Sequence, residues 1–193
     1  MTAKHTFFLK NMFSQSCIRL IELSIGSHKN ISITHIALGE VMLEYEDKSY
    51  SLESLEAIFM DLGFACIKDP EVEIVEKTKV AAVELIHESL NNNSLIRNSE
   101  YISEKLQLPY DKISRVFSKV TGQKLEKVII LLKIEKAKEL LCRDEYNVSE
   151  IAYMMDYSSV QYFSNQFKKT VGVTISAFKE APQKYRKPIE EII

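Results

Sequence analysis

The first seventy residues alternate between β-prone runs and apolar positions spaced for helices. The hairpin signal is clearest after the turn at Gly39–Glu40. There Val41, Leu43 and Tyr45 alternate with Met42, Glu44 and Glu46. Ser51 is the expected N-cap of a second helix, Gly26 is expected to stop the first helix in the C′ position, and Gly63 is expected to end the second. The predicted elements are a strand at 5–10, a helix at 17–25, strands at 31–38 and 41–46, a helix at 52–62 and a strand at 64–67.

This βαββαβ order predicts an α+β N-terminal domain with a ferredoxin-like fold over residues 1–69, in which two helices cover one face of a sheet. From Glu71 onward the strand signals stop. Apolar spacing predicts a helix to about Leu90, ended by the polar run Asn91–Ser94. The remainder, within a second domain over 70–193, is predicted to be all-α.

The helical half contains an internal repeat. The segment Tyr101–Gly122 aligns with Glu150–Gly172, with one residue inserted in the turn of the second copy. Each copy predicts a short helix, a tight turn and a second helix, which is helix-turn-helix geometry, and the two units occupy about 95–122 and 145–172. The predicted helices are 99–106 and 109–120 in the first copy and 149–155 and 159–171 in the second.

The second helix of each copy has one apolar and one polar face. The residues predicted to pack inward are Ile113, Val116 and Phe117 in the first copy and Val160, Phe163 and Phe167 in the second. The opposite faces carry Arg, Asn, Gln and Ser, the residue types that hydrogen-bond base edges.

A linker helix over 124–141 is predicted between the two units, with apolar residues at Leu125, Val128, Ile129, Leu132, Leu140 and Leu141. Eighteen helical residues span about 27 Å, close to the roughly 34 Å between successive major grooves on one face of DNA. One chain is therefore expected to place two recognition helices in adjacent grooves.

Composition narrows the class of protein. Hydrophobic residues make up 46% and charged residues 27% of the 193 residues, which is typical of a folded domain. The longest aliphatic run, Val128–Leu132, is far too short to span a bilayer, and the N-terminus lacks a secretory pattern, so we expect a cytoplasmic protein without a membrane partner. Nucleophile-elbow, phosphate-loop, HExxH and paired-acid motifs are absent from the sequence, so neither an enzyme nor a cofactor is predicted.

The formal net charge of −2 conceals two oppositely charged halves. Residues 1–93 carry 8 Lys and Arg against 14 Asp and Glu, a balance of −6, whereas residues 94–193 have a balance of +4. Without the acidic tail, residues 94–187 reach +6. This asymmetry is typical of an acidic module joined to one that contacts phosphate, although a charged face is also commonly just solvated.

With these features in place, the C-terminal half resembles the DNA-binding region of AraC/XylS-family transcription regulators. "KIEKAKELL" resembles the linker helix of that family, and "SEIAYMMDYSSVQYFSNQFKKTVGVTISAFK" resembles its second helix-turn-helix and closing helix. The resemblance covers about residues 90–187. It implies two helix-turn-helix subdomains that bind double-stranded promoter DNA and alter transcription.

The resemblance also implies roles for individual residues. Base-facing positions fall on Asp111, Ser114, Arg115, Gln161, Tyr162 and Asn165. Lys119, Lys124, Lys168 and Lys169 are candidate phosphate contacts, which position a protein on DNA without specifying sequence. The chain departs from the family where Gln107 and Asp156 replace turn glycines, and where Asn165 replaces an arginine, which favours adenine over guanine.

The N-terminal half resembles a heavy-metal-associated domain, in which Met-x-Cys-x-x-Cys binds a soft metal. Here Ser14 occupies the position of the first cysteine, and Cys17 keeps the second. Soft metals prefer thiolates, so the fold would be kept while half of the metal site is lost. Cys17 is therefore a weak candidate ligand, and no metal site is predicted.

Several residues have structural alternatives. Gln161 completes a capping-box pattern with Ser158, Asp111 lies where a carboxylate stabilises a helix N-terminus, and Tyr162 either contacts a thymine methyl or covers the rim of the helix pair. Asn147 and Glu150 form another capping-box pattern. Cys66 and Cys142 are predicted to be packing residues.

The leading hypothesis is a sequence-specific transcription regulator whose N-terminal module senses, dimerises or docks, with RNA polymerase and a second copy of the chain as candidate partners. The alternative is a thiol-dependent metal-binding or sensing module coupled to a helical interaction domain.

Overall fold

The computed structural model describes residues 2–88, 98–188 and 191–192. The chain divides into two compact units, Met1–Val80 (unit 1) and Ala81–Ile193 (unit 2), and the division falls inside a helix that begins at Pro70. The predicted helix end near Leu90 and its polar stop at Asn91–Ser94 lie outside the described residues. The predicted domain division at 69/70 stays a prediction.

Unit 1 contains a three-stranded antiparallel sheet in the order β1-β3-β2. Phe7 on β1 and Ile36 on β2 both pair with Val41 on the central strand, and the β2–β3 register shifts between Ile33 and His35. The elements are β1 Thr2–Phe8, α1 Gln15–Gly26, β2 Ile31–Ala37, β3 Glu40–Glu46, α2 Leu52–Asp61 and the first part of α3 Pro70–Glu88.

The core of unit 1 lies on one face of this sheet. Because side chains alternate along a strand, Val41, Leu43 and Tyr45 of β3 all point to the same side and are buried. They belong to one cluster with Ile21 of α1 and Phe59 of α2, so both helices pack on this face. The predicted helices and hairpin of the α+β unit are confirmed.

Two details of the prediction for unit 1 are wrong. The expected strand at 64–67 is reduced to one bridge between Leu9 and Cys66, with Lys10 N donating to Ala65 O (2.9 Å) and Ile67 N donating to Phe8 O (2.8 Å). Gly26 is the last residue of α1 and Ser27 follows in a right-handed conformation, whereas Gly63 adopts φ +87° after α2 as expected.

Unit 2 repeats one pair of helices around a linker helix, which confirms the internal repeat. The second helix of each pair has 12 residues and ends at a left-handed glycine, Gly122 in one copy and Gly172 in the other. The elements are α4 Asn98–Leu106, α5 Tyr110–Thr121, α6 Leu125–Arg143, α7 Val148–Met154, α8 Val160–Val171, α9 Ile175–Glu180 and a 3-10 turn Pro182–Lys184.

The linker helix α6 supplies the apolar side chains on which unit 2 is built. All six of its predicted apolar positions are buried. Its C-terminal half packs into one cluster with Phe163 and Phe167 of α8 and Phe178 of α9. Ile113, Val116 and Phe117 of α5 are also buried, as predicted.

Two predicted packing residues of unit 2 are instead exposed. Val160 is the first residue of α8 and lies beyond the buried cluster, with 39% of its surface exposed. Cys142 follows the buried pair Leu140 and Leu141, and the rotation of about 100° per helical residue carries its side chain out to solvent. Helical spacing thus fails for Val160 at the start of its helix, whereas Cys142 lies outside the buried stripe that the same spacing defines.

The capping box at the start of α7 is confirmed. Asn147 Oδ1 accepts hydrogen bonds from the backbone N–H groups of Ser149 (2.9 Å) and Glu150 (3.0 Å), and Glu150 Oε2 accepts from Asn147 N (2.7 Å). This arrangement satisfies N–H groups that have no partner inside the helix.

The turns of both helix-turn-helix units place a residue other than glycine in the left-handed region. Gln107 adopts φ +53° and Asp156 adopts φ +60°. Asp156 lies 3.5 Å (Oδ2) from Lys133 Nζ, while Gln107 Nε2 donates to the Glu104 carbonyl (2.7 Å). The inserted residue of the second copy falls after Asp156, so the same left-handed turn serves both units.

Replacing Gln107 by glycine is expected to stabilise unit 2 by about 0.5–1 kcal/mol, because glycine adopts positive φ without a Cβ clash. Urea unfolding followed by circular dichroism measures the change. Gln107→Val is the matched contrast and should destabilise, since a β-branched side chain tolerates this region worst. A glycine variant less stable than the parent would show that the Gln107–Glu104 hydrogen bond outweighs the backbone strain.

Candidate nucleic-acid interface

The first recognition helix, α5, presents the predicted polar face to solvent. Asp111 and Arg115 are exposed one turn apart, and Ser114 beside them is half-buried. Among the described residues the Arg115 guanidinium has no ion-pair or hydrogen-bond partner. An unpaired guanidinium in the middle of a recognition helix is the group that donates two hydrogen bonds to the edge of a guanine.

The second recognition helix, α8, presents a pair of side-chain amides. Gln161, Tyr162 and Asn165 are exposed, and Gln161 Nε2 donates to Asn165 Oδ1 (3.1 Å). The capping alternative for Gln161 is wrong: the N-cap is Ser159, whose Oγ accepts from Tyr162 N (3.1 Å). Since the cap is made elsewhere, the Gln161 amide lies on the outer face of the helix.

The position of Tyr162 is compatible with both of its predicted roles, contact with a thymine methyl and cover of the rim of the helix pair. Its ring lies 5.8 Å from that of Tyr157, as expected for a residue covering the rim of the helix pair, yet 56% of its surface is exposed. Asp111 lies in the first turn of α5, where its carboxylate also stabilises the helix dipole. The structural and base-contacting alternatives stay open for both residues.

The four lysines predicted to contact phosphate are all exposed. Lys119 lies in the last turn of α5, Lys168 and Lys169 lie in the last turn of α8, and Lys124 is the N-cap residue of α6. Lys119 and Lys169 occupy equivalent places on the two recognition helices. The assignment of individual contacts to bases and phosphates stays a prediction.

Two buried lysines of α6 were missed by the analysis of the sequence. Lys133 lies near Asp156 of the second turn, and Lys138 Nζ donates to the Tyr185 carbonyl (2.6 Å) and forms an ion pair with Glu135. Each lies four residues after an apolar residue of the buried stripe, Ile129 or Ile134, and that spacing was the available signal. Both lysines connect α6 to neighbouring segments.

The weak metal candidate Cys17 faces a hydroxyl. Its Sγ lies 3.3 Å from Ser14 Oγ, at the N-terminus of α1. Within the described residues no group of three or more His, Cys, Asp or Glu side chains is placed to hold a metal ion. The pair supplies a single thiol.

The three cysteines are expected to differ in their reactivity with a thiol reagent at pH 8. Cys142 is exposed and should react first, whereas Cys66 packs against the core of unit 1, and burial raises the pKa of its thiol to about 11. Since the thiolate is the nucleophile, Cys66 should react last. Mass spectrometry of timed iodoacetamide reactions measures the order, and early modification of Cys66 would contradict its burial.

Within the described part of the chain, the structure contains no helix with the length and apolar character needed to cross a membrane.

A family model described as a helix-turn-helix domain matches residues 102–181. The xylose operon regulatory protein of Escherichia coli (strain K12) is 22% identical over 171 residues, covering 84% of this chain and 41% of the relative. The regulatory protein PocR of Salmonella typhimurium is 28% identical over 141 residues, covering 67% of this chain and 43% of the relative. The chain thus spans less than half the length of these curated relatives.

Among solved structures, the chain is similar to the C-terminal domain of AraT, a response regulator from Geobacillus stearothermophilus, with 27% identity and a TM-score of 0.45. The alignment covers 58% of this chain and 85% of that one. The matched family model coincides with the two repeated helix pairs and the linker helix described above. Residues 102–181 therefore match a family of helix-turn-helix domains.

Proposed function

We propose that this protein is a sequence-specific DNA-binding transcription regulator that places α5 and α8 in two adjacent major grooves. The observation that carries the proposal is the repeat itself. Two helix-turn-helix units, each with a buried apolar face and an exposed polar face on its second helix, share one linker helix.

The length of the linker helix fits this geometry. α6 has 19 residues and spans about 28 Å at 1.5 Å per residue, near the roughly 34 Å between successive major grooves. A single chain therefore carries both recognition helices, and a second copy of the chain is not geometrically required.

Different residues take different roles on the DNA. Arg115 binds guanine through its two-pronged donor group, and the coupled amides of Gln161 and Asn165 favour adenine. Asp111, Ser114 and Tyr162 are the remaining proposed base-facing residues. Lys119, Lys124, Lys168 and Lys169 bind phosphates and make the affinity depend on salt.

Unit 1 is proposed to act as a sensing, dimerising or docking module with a reduced ferredoxin-like fold. The bridge between Leu9 and Cys66 lies on the edge of β1 away from β3, where a fourth strand would pair. A second copy of the chain and RNA polymerase are the proposed protein partners of the regulator.

Selection of bound duplexes from a random pool tests the proposed function. The full chain should enrich a site of about two helical turns, bound with nanomolar affinity that falls steeply with salt concentration. The double variant Arg115→Ala, Asn165→Ala keeps the buried core and serves as the control that should enrich nothing. Failure of the full chain to bind any sequence at nanomolar concentration would remove the proposal.

A second arm of the selection tests the alternative metal-sensing function through Cys17. Repeating the selection with Cu(I), and titrating the protein with Cu(I) by calorimetry, should show thiol-dependent binding only if Cys17 is a ligand. Cys17→Ser is the matched variant, since it removes the thiol and preserves the size of the side chain. Cu(I) binding that Cys17→Ser leaves unchanged would exclude the metal site.

A further inference from the structure

A cleft of about 540 Å³ lies inside unit 2, between the two recognition helices. Its floor is formed by α6, with Ile129, Ile130 and Lys133, and its walls include Tyr110 of α5 and Tyr162 of α8. This volume falls within the range of about 300–1,000 Å³ that is usual for small-molecule sites. Of these lining residues, only Tyr162 is also a proposed DNA contact.

Lys133 brings a poorly compensated cation to the cleft. It is buried, and its one ion-pair partner among the described residues is Asp156, at 3.5 Å (Nζ to Oδ2). The Asp156 side chain is 83% exposed, so it is strongly solvated and weakly held. Burial lowers the pKa of Lys133 despite this neighbour, because the loss of hydration outweighs the attraction of Asp156. A closer and better-shielded anion would stabilise the ammonium.

Tyr157 also lines the cleft. Its hydroxyl oxygen is buried and has no hydrogen-bond partner within the described residues. Burial raises its pKa to about 12, so the hydroxyl stays protonated at neutral pH. An unpaired buried hydroxyl is costly, and an acceptor in the cleft would remove that cost.

Glu126, the second carboxylate that lines the cleft, already accepts a hydrogen bond. Tyr110 OH donates to Glu126 Oε1 (2.9 Å), so the Glu126 carboxylate is held by a side chain of α5. Two groups of the lining lack a close partner among the described residues, the Lys133 ammonium and the Tyr157 hydroxyl, and both are donors. The apolar part of the lining consists of the tyrosines with Ile129 and Ile130, and the polar residues Asn98, Ser99 and Gln166 complete it.

We propose that this cleft binds a small aromatic carboxylate. The carboxylate replaces Asp156 as the partner of Lys133 and accepts a hydrogen bond from the Tyr157 hydroxyl, while the aromatic body packs among the tyrosine and isoleucine side chains. A ligand with one negative charge and a flat apolar body matches both the free donors and the lining.

This site is placed to influence DNA binding, a consequence that rests on the proposed function. Tyr157 packs on both Tyr162 (5.8 Å between ring centroids) and Phe163 (5.2 Å), and both residues belong to α8. Tyr110 belongs to α5. An occupied cleft therefore contacts both recognition helices and changes their relative freedom, which changes the affinity for a site that needs both helices at once.

Titration of the full chain with 2-naphthoate tests binding without DNA. The chain has no Trp, and three of its nine tyrosines line the cleft, so quenching of tyrosine emission and the change in naphthyl fluorescence measure binding, and the variants below locate it. The neutral isostere 2-naphthamide is the matched ligand. We expect saturable binding of 2-naphthoate at least tenfold tighter than that of 2-naphthamide, because a charge-assisted bond is lost in the amide.

Three variants locate the site. Lys133→Met should weaken 2-naphthoate binding by about tenfold or more, and Tyr157→Phe by about three- to tenfold. Lys127→Met, on an exposed position of the same helix, should change it by less than about twofold. Tyr157→Phe keeps the packed ring, so it decides the question even if Lys133→Met does not fold.

The proposal is overturned by equal binding of the two ligands, by unchanged binding in Lys133→Met and Tyr157→Phe, or by no saturation below about 1 mM. It is also overturned if 2-naphthoate does not bind and Lys133→Met instead weakens DNA binding and its salt dependence, since Lys133 would then be a phosphate contact. Because the titration contains no DNA, its result is independent of the selection experiment.

Discussion

Replacing Arg115 by alanine is expected to weaken binding to the selected DNA site by about 1–3 kcal/mol and to relax the preference at a single base pair. The guanidinium is exposed on the outer face of α5 and has no partner in the described part of the protein, so its removal costs no internal contact. Competition binding against all four bases at each position of the site measures the effect.

Two further variants separate base recognition from simple charge attraction. Arg115→Lys keeps the charge and loses the two-pronged donor geometry, so it should lose most of the discrimination. Lys169→Ala should weaken binding about equally for all sequences and reduce the salt slope by about 1. If Arg115→Lys binds and discriminates as well as the parent, Arg115 contacts phosphate and the proposed role is wrong.

Replacing Phe167 by alanine is expected to reduce the free energy of unfolding of unit 2 by about 3–5 kcal/mol. The ring is fully buried and lies between Phe163 (6.0 Å between centroids) and Phe178 (5.5 Å), so its removal leaves a cavity that also separates α8 from α9. Chemical denaturation with detection by circular dichroism measures the loss.

The matched control for Phe167→Ala is Val160→Ala, on the same helix. Val160 is partly exposed at the helix start, and its truncation should change stability by less than about 0.5–1 kcal/mol. A small effect of Phe167→Ala would mean that the aromatic cluster collapses around the gap. An effect of Val160→Ala as large as that of Phe167→Ala would mean that the sequence prediction of an inward-facing Val160 was right.

Much of unit 2 was predictable because its signals are local. Helical spacing correctly identified Ile113, Phe117 and Phe167 as core residues, and the repeat identified the paired helices. The same spacing misplaced Val160, since a residue at the end of a helix extends beyond the partner that buries its neighbours. Cys142 was expected to be buried because it follows Leu140 and Leu141, and the helical rotation carries it to solvent. The strand predicted at 64–67 is wrong because β-prone residues form a strand only where a neighbouring strand pairs with them. Here the pairing is a single bridge, between Cys66 and Leu9.

The candidate nucleic-acid interface was also predictable only in part. The exposed positions of Arg115 and Asn165 follow from the apolar residues opposite them on each helix. The N-cap of α8 was not decidable from local pattern, because Ser158 and Ser159 are both competent caps and only the direction of the entering chain selects Ser159. That selection leaves Gln161 to bond with Asn165.

The sequence by itself determined the two repeated helix pairs, the linker helix between them and the residue types on the outer faces, because helical spacing depends on neighbours within a few positions of the chain. It also determined the charge asymmetry, which is a count of residue types and requires no contact. Only the tertiary structure decided that Lys133 is buried, that Asp156 is its exposed partner and that the hydroxyl of Tyr157, a residue lining the cleft, has no hydrogen-bond partner in the described part of the chain. These features depend on contacts between segments that are distant in sequence, and burial and desolvation arise only when such segments pack together.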